Sequence, residues 1–229
     1  MRNIDRSEMI SGFSGTFAPS FEHIMNKFFV ALFISLIGTI VGFFILPNAP
    51  ELFYIALVVE FAMIIASLFV RRSGRVGYAF VYTYVFISGI TLFPAIGYYV
   101  HTIGMPLVFS TIAIVTLGFG VLAFIGYTTK KDLSFLSSIL MIGLITLIGF
   151  SLVGLFVPSI NIGFSGLLIA SAGVIIFSGF TILDMNLYAR YMRTEEDVPW
   201  FVLSIYLDYI NLLLYALRLV AILTGNKRN

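Results

Sequence analysis

Cysteine is absent from this sequence of 229 residues, which excludes disulfides and thiolate metal sites and leaves the redox compartment unread. Charge is scarce. Asp, Glu, Lys and Arg make up 10% of the chain, against about 25% in an ordinary soluble domain. The 13 Lys and Arg nearly balance the 11 Asp and Glu, for a net charge of +2, and most of them fall between apolar stretches. No basic face for nucleic acid results. A usual signal peptide is missing as well: residues 1–22 are mixed polar, and no small-residue cleavage site follows a short apolar core. The first span itself is expected to direct insertion. Short strands of alternating polarity, the mark of a transmembrane barrel, do not occur.

What the chain has instead is apolar length. Hydrophobic residues make up 60% of it, and the mean hydropathy is +1.06. Runs long enough to cross a hydrocarbon core of roughly 30 Å as helix recur from Phe28 to Leu223. The expected fold is an all-α membrane protein, a bundle of seven transmembrane helices with no soluble domain. The spans are expected near 28–46, 51–70, 76–100, 106–128, 133–156, 162–189 and 200–224. This divides the chain into a cytoplasmic N-terminal segment (1–27), a transmembrane domain (28–224) and a short C-terminal tail (225–229). The lipid bilayer is its first partner.

Loop composition orders the spans. Pro47 and Pro50, Pro106, and Pro158 fall in the short loops of one side, suggesting three tight hairpins followed by a single last helix. Basic residues fall on the other side: Arg2, Arg6 and Lys27, then Arg71, Arg72 and Arg75, then Lys130 and Lys131, then Arg190 and Arg193. The positive-inside rule then predicts a multi-pass protein of the cell membrane with a cytoplasmic N-terminus. Lys227 and Arg228 argue weakly against the outside C-terminus that seven spans imply. Gly166, Ala170 and Gly173 form a row of small residues suited to close helix packing. Pro94 inside the third span predicts a kink.

Four ionisable residues fall well inside spans: Glu60, Asp184, Asp208 and Arg218. Each costs at least about 2.5 kcal/mol at a helix centre, so partners or water should surround it. With a rise of about 1.5 Å per residue, Asp184 lies roughly 9 Å and Asp208 roughly 12 Å from the cytoplasmic end, on consecutive antiparallel helices. Glu60 and Arg218 lie roughly 13 Å and 9 Å from the outer end. Glu60, Ser67 and Arg71 share one face of the second span, and Ser204, Asp208, Asn211, Tyr215 and Arg218 one broad face of the last. If these faces meet, Glu60 pairs with Arg218 and Arg71 with an aspartate. Static ion pairs would use the same residues. A second aspartate goes beyond what one base needs, and two carboxyls in contact should share a proton and titrate as a pair. Protons and a divalent cation would compete for those oxygens. Calcium takes about six to eight oxygens, so Asp184 and Asp208 would bind it weakly, as metal ligands suited to conduction. His23, His101 and the run Glu195-Glu196-Asp197 are expected at the surface, the last as a solvated loop, with collection of cations at the cytoplasmic mouth as its alternative role.

At these residues the sequence resembles the Bax-inhibitor-type family, also called the transmembrane Bax inhibitor motif family, in a bacterial form. The resemblance rests on SGITLFPAIGYYV (88–100), FSGFTILDMNLYARYM (177–192) and YLDYINLLLYALRLV (206–220), and it covers nearly all the chain. It implies a seven-helix fold with the last helix central, and a pH-sensitive calcium leak across the membrane. It implies that Asp184 and Asp208 form the pH-sensing, calcium-related centre, with Arg71 and the Glu60–Arg218 pair as gating ion pairs. No cofactor is implied beyond calcium as the transported or weakly bound ion, and protein partners stay open.

Two other functions use the same residues. A proton-coupled transporter would need a substrate pocket, often marked by paired broken helices, and no such interruptions occur. A membrane-embedded regulatory protein would conduct nothing. An enzyme is not expected: an intramembrane aspartyl protease would carry GxGD where this chain has IYLDY. A retinal protein would need a lysine inside the last span.

Overall fold

Seven long helices dominate the computed structural model, which describes residues 20–73, 76–192 and 194–225. They are α1 (Phe21–Ile45), α2 (Glu51–Ser73), α3 (Tyr78–Ile103), α4 (Met105–Thr128), α5 (Leu136–Phe156), α6 (Gly163–Tyr191) and α7 (Val198–Gly225). Short 3-10 turns at Pro158–Asn161 and Glu195–Asp197 lead into α6 and α7. There is no strand among the described residues. Six of the helices, all but α2, are long and apolar enough over their described residues, by length and composition, to cross a membrane. With 23 residues α2 is also of spanning length. The seven expected spans are thus seven helices in the expected order.

The boundaries differ most at the start. α1 begins at Phe21, well before the apolar run at 28, because its first turns have protein to pack on. Ile24, Met25 and Phe28 are buried, and the Tyr188 hydroxyl donates to the Ser20 carbonyl at 3.1 Å. The α3–α4 hairpin turns on Gly104, whose φ of 86° and ψ of 151° suit glycine alone. Its N–H donates to the Val100 carbonyl, and Pro106 sits in the first turn of α4, where no N–H is needed. Pro94 lies within an unbroken α3. It cannot donate to the Ile90 carbonyl, and that carbonyl faces Gly42 of α1.

α7 is the axis of the bundle: it packs against α6, α3, α4 and α1. Among its large apolar residues only Leu223 is exposed. α2 and α5 lie outermost, with apolar exposed faces such as Val58 and Phe61, or Ile142 and Ile145. Such faces suit hydrocarbon rather than water.

Close approaches join the inner helices. A Cβ on Gly38 of α1 would collide with the Phe86 carbonyl of α3, and one on Gly89 with the Ser35 carbonyl of α1. The gap so closed lets the Thr39 hydroxyl donate to the Gly89 carbonyl at 3.0 Å. Along the expected small-residue row of α6, Gly173 receives the ring of Tyr215 from α7, and that ring stacks on Phe177 at 5.7 Å.

Candidate functional site

The two aspartates sit where α6 meets α7. Asp184 lies between buried Leu183 and Met185, and Asp208 follows buried Tyr206 on the central helix. Asp208 is only 6% exposed, and its Oδ2 has no hydrogen-bond partner among the described residues. Ser204, one turn before Asp208, donates its hydroxyl to Asp184 Oδ2. Two carboxyls and a hydroxyl are therefore gathered by two helices. Arg71 lies on the last turn of α2, its side chain outside the described residues.

Glu60 turns to α3. Its Oε1 accepts from Tyr84 at 3.1 Å and its Oε2 from Thr91 at 2.7 Å. α2 packs along α3, whereas the seam inferred from helical phase would have set it against the last helix. From Tyr84 the contacts continue inward. The Tyr84 ring meets the Tyr206 ring edge-on at 6.4 Å, and the Tyr206 hydroxyl meets the Ser35 hydroxyl at 2.8 Å. This ladder joins α1, α2, α3 and α7, and the charge-centred reading of the sequence missed it. Its signal was present as Tyr84 and Thr91, two turns apart on one face of α3. Arg218 lies toward the far end of α7, where it lines one cavity with Tyr98 and Tyr99 of α3.

The loop ends nearest the aspartates are fixed by α6. Buried Asn186 donates to the carbonyls of Gly126, Thr129 and Lys131 at 3.3, 2.9 and 3.2 Å, and accepts from the Leu133 N–H at 3.1 Å. Arg190 donates to the Lys130 carbonyl, and Tyr191 to the Asp132 carboxylate. That bond, with help from the Ser134 N–H, lowers the Asp132 carboxyl to about 2. Glu195 is not simply solvated. Its Oε1 lies 3.1 Å from His23 Nε2 of α1 and accepts from the Tyr78 hydroxyl of α3 at 3.1 Å. Asp197 accepts from Thr194. His23 is therefore an interhelical contact rather than a plain surface residue.

Metal-binding capacity is modest. No group of three or more His, Asp and Glu that could hold an ion occurs among the described residues. A cation at Asp184 and Asp208 would take most of its ligands from elsewhere, water included.

The family model described as inhibitor of apoptosis-promoting Bax1 matches residues 22–228. The chain is similar to Bax inhibitor 1 of Schizosaccharomyces pombe, 31% identical over 181 residues, 77% of this chain and 62% of that protein. An uncharacterized membrane protein of Streptococcus pyogenes serotype M3 is 32% identical over 182 residues, 76% of each chain. An uncharacterized protein of Helicobacter pylori is 25% identical over 205 residues, covering 89% of this chain and 86% of the relative.

Proposed function

We propose that this chain, which belongs to the Bax inhibitor family, is a pH-sensitive calcium leak channel gated by a proton shared between Asp184 and Asp208. The observation that carries the reading is the buried Asp208 Oδ2, which has no hydrogen-bond partner among the described residues, one turn along α7 from the serine that bonds Asp184. An ionised carboxylate left so costs several kcal/mol of desolvation. A proton held between the two groups removes one charge and turns one carboxyl into a donor for the other.

Losing that proton places two negative charges at one point of the α6–α7 interface. They must then draw in cations or push the helices apart, and either response couples pH to the path. Two aspartates give calcium few of its roughly six to eight oxygens, which favours passage over storage. In this reading Arg71, on the last turn of α2, is the counter-charge that competes for the ionised pair. Glu60 and Arg218 are the acid and base of the opposite half, where a change of partner would accompany gating. In this reading the protein lies in the cell membrane with the N-terminal end of the bundle toward the cytoplasm, an orientation the basic loops favour under the positive-inside rule.

The test is calcium passage through the purified protein in liposomes, scanned from acid to neutral pH. The reading requires a calcium flux that depends on pH. A protein that passes no calcium at any pH refutes it.

A further inference from the structure

α5 lies at the edge of the bundle, packed on α6 and on the 3-10 turn Pro158–Asn161 between them. The two helices are close only toward the aspartate end. A Cβ on Gly143 would come within 2.9 Å of Ile176 Cδ1, and one on Gly179 within 2.7 Å of a Leu140 methyl. Toward the turn they part and leave a cavity of about 420 Å³. Buried Leu147 and Ile169 form its floor, exposed Thr146, Phe150 and Leu168 its rim, and Ile160 of the turn its end. The slot therefore opens sideways, toward lipid.

We propose that this slot binds one acyl chain of a phospholipid, from the leaflet on the side of the Pro158–Asn161 turn. Its dimensions single out that occupant. The lining runs along α6 from Ser165 to Ile176, or about 16 Å at the helical rise. That is half of a hydrocarbon core of roughly 30 Å, the depth of one leaflet. Spread over that length, the volume of about 420 Å³ makes a channel about 6 Å wide. A helix with its side chains is about 10–12 Å across, so a span from a second copy does not enter. A single hydrocarbon chain does.

The chemistry of the lining agrees. Its two hydroxyls are turned to their own helix: Thr146 donates to the Ile142 carbonyl at 2.9 Å and Ser165 to the Ile162 carbonyl at 3.1 Å. The slot thus offers a ligand no free donor. No charged side chain lines it or occurs between Leu136 and Leu183, so the carboxylate of a free fatty acid would find no counter-charge there. A phospholipid instead keeps its headgroup in the polar layer beside the turn and places only its chain in the slot. Walls left without a chain would lose their dispersion contacts on that side.

The test uses the full-length protein in phosphatidylcholine liposomes doped with phosphatidylcholine that carries a diazirine midway along one acyl chain. After illumination, the labelled residues are mapped by mass spectrometry. Lipid that merely surrounds the protein reaches Ile142 and Ile145, at 66% and 62% exposure, whereas Leu147 and Ile169 are only 3% and 7% exposed. Labelling of Leu147 and Ile169 should nevertheless match that of Ile142. Ala172→Leu and Ser165→Leu, made separately, fill the slot from its wall and its mouth. Each should cut labelling of the floor several-fold and leave Ile142 unchanged. Absence of label at Leu147 and Ile169 in the wild-type protein would overturn the proposal whatever the variants do. Floor labelling that survives both fillings would overturn it too, as would labelling by a diazirine fatty acid that phosphatidylcholine fails to match. The readout is lipid contact and not flux, so it stands or falls apart from the channel reading.

Discussion

The Ser204 hydroxyl donates to the Asp184 carboxylate from one turn before Asp208. The central helix thus presents to Asp184 both a second acid and the hydroxyl that holds the first in place. Ser204→Ala removes that donor and keeps both acids. A hydrogen bond to a charged group contributes about 1.5–3 kcal/mol, or roughly one to two pH units at 1.36 kcal/mol per unit. The pH curve of calcium flux should be displaced by about that amount while keeping its steepness. A curve identical to wild type would show that Ser204 does not touch the titrating unit.

Asp132 offers a contrasting case outside the spans. Its carboxyl is held at about 2, first by the Tyr191 hydroxyl and then by the Ser134 N–H. The value is depressed below the usual 3.8, so the stabilisation from this tie is complete above the unfolded value. It is lost only as pH falls through about 2. Asp132 therefore stays ionised across the physiological range and cannot be the sensor. Asp132→Asn should leave the pH midpoint of flux where it is, and a flux titration of that variant checks it.

The α1–α3 contact should be intolerant of the smallest addition. Gly89→Ala puts a Cβ onto the Ser35 carbonyl, which is backbone and cannot swing aside. Overpacking typically costs about 1–3 kcal/mol, and separating the helices also breaks the bond from Thr39 to the Gly89 carbonyl. Gly118→Ala meets nothing within 4 Å and should be neutral or stabilising by up to about 1 kcal/mol. Thermal unfolding in detergent should separate the two variants clearly.

Orientation is testable on a clean background, because the chain has no cysteine of its own. Ser134 and Ser159 are both exposed, at opposite ends of the bundle. With a cytoplasmic N-terminus, a cysteine at Ser159 in intact cells should react with an impermeant thiol reagent, and one at Ser134 should not. The reverse pattern would invert the topology.

Hydropathy revealed the helices because lipid demands long apolar runs, and the two aspartates stood out because a carboxylate in such a run is rare. Other features left weaker traces. The start of α1 at Phe21 escaped because hydropathy reports contact with lipid, whereas residues 21–27 are helical against protein. Glu60 was matched to Arg218 by charge, depth and helical phase, and α3 carries no Asp, Glu, Lys or Arg to compete with Arg218. Its actual partners are hydroxyls, which hydropathy counts as nearly neutral. His23 and Glu195 are 172 residues apart, and only the tertiary fold brings them together. Gly38 and Gly42, four apart on α1, were a legible sign of the close α1–α3 approach that the row on α6 overshadowed.

The central claim is that Asp184 and Asp208 act as one proton-sharing unit. Asn keeps the volume of Asp and removes its charge and its proton, so either substitution dissolves the pair. The direct measurement is calcium uptake into liposomes across the pH range for wild type, Asp184→Asn, Asp208→Asn and the double variant. The account predicts that each single variant loses most of the pH dependence and that the double variant is no worse than the worse single one. If both single variants fold and keep the wild-type pH curve, the aspartate pair is not the sensor.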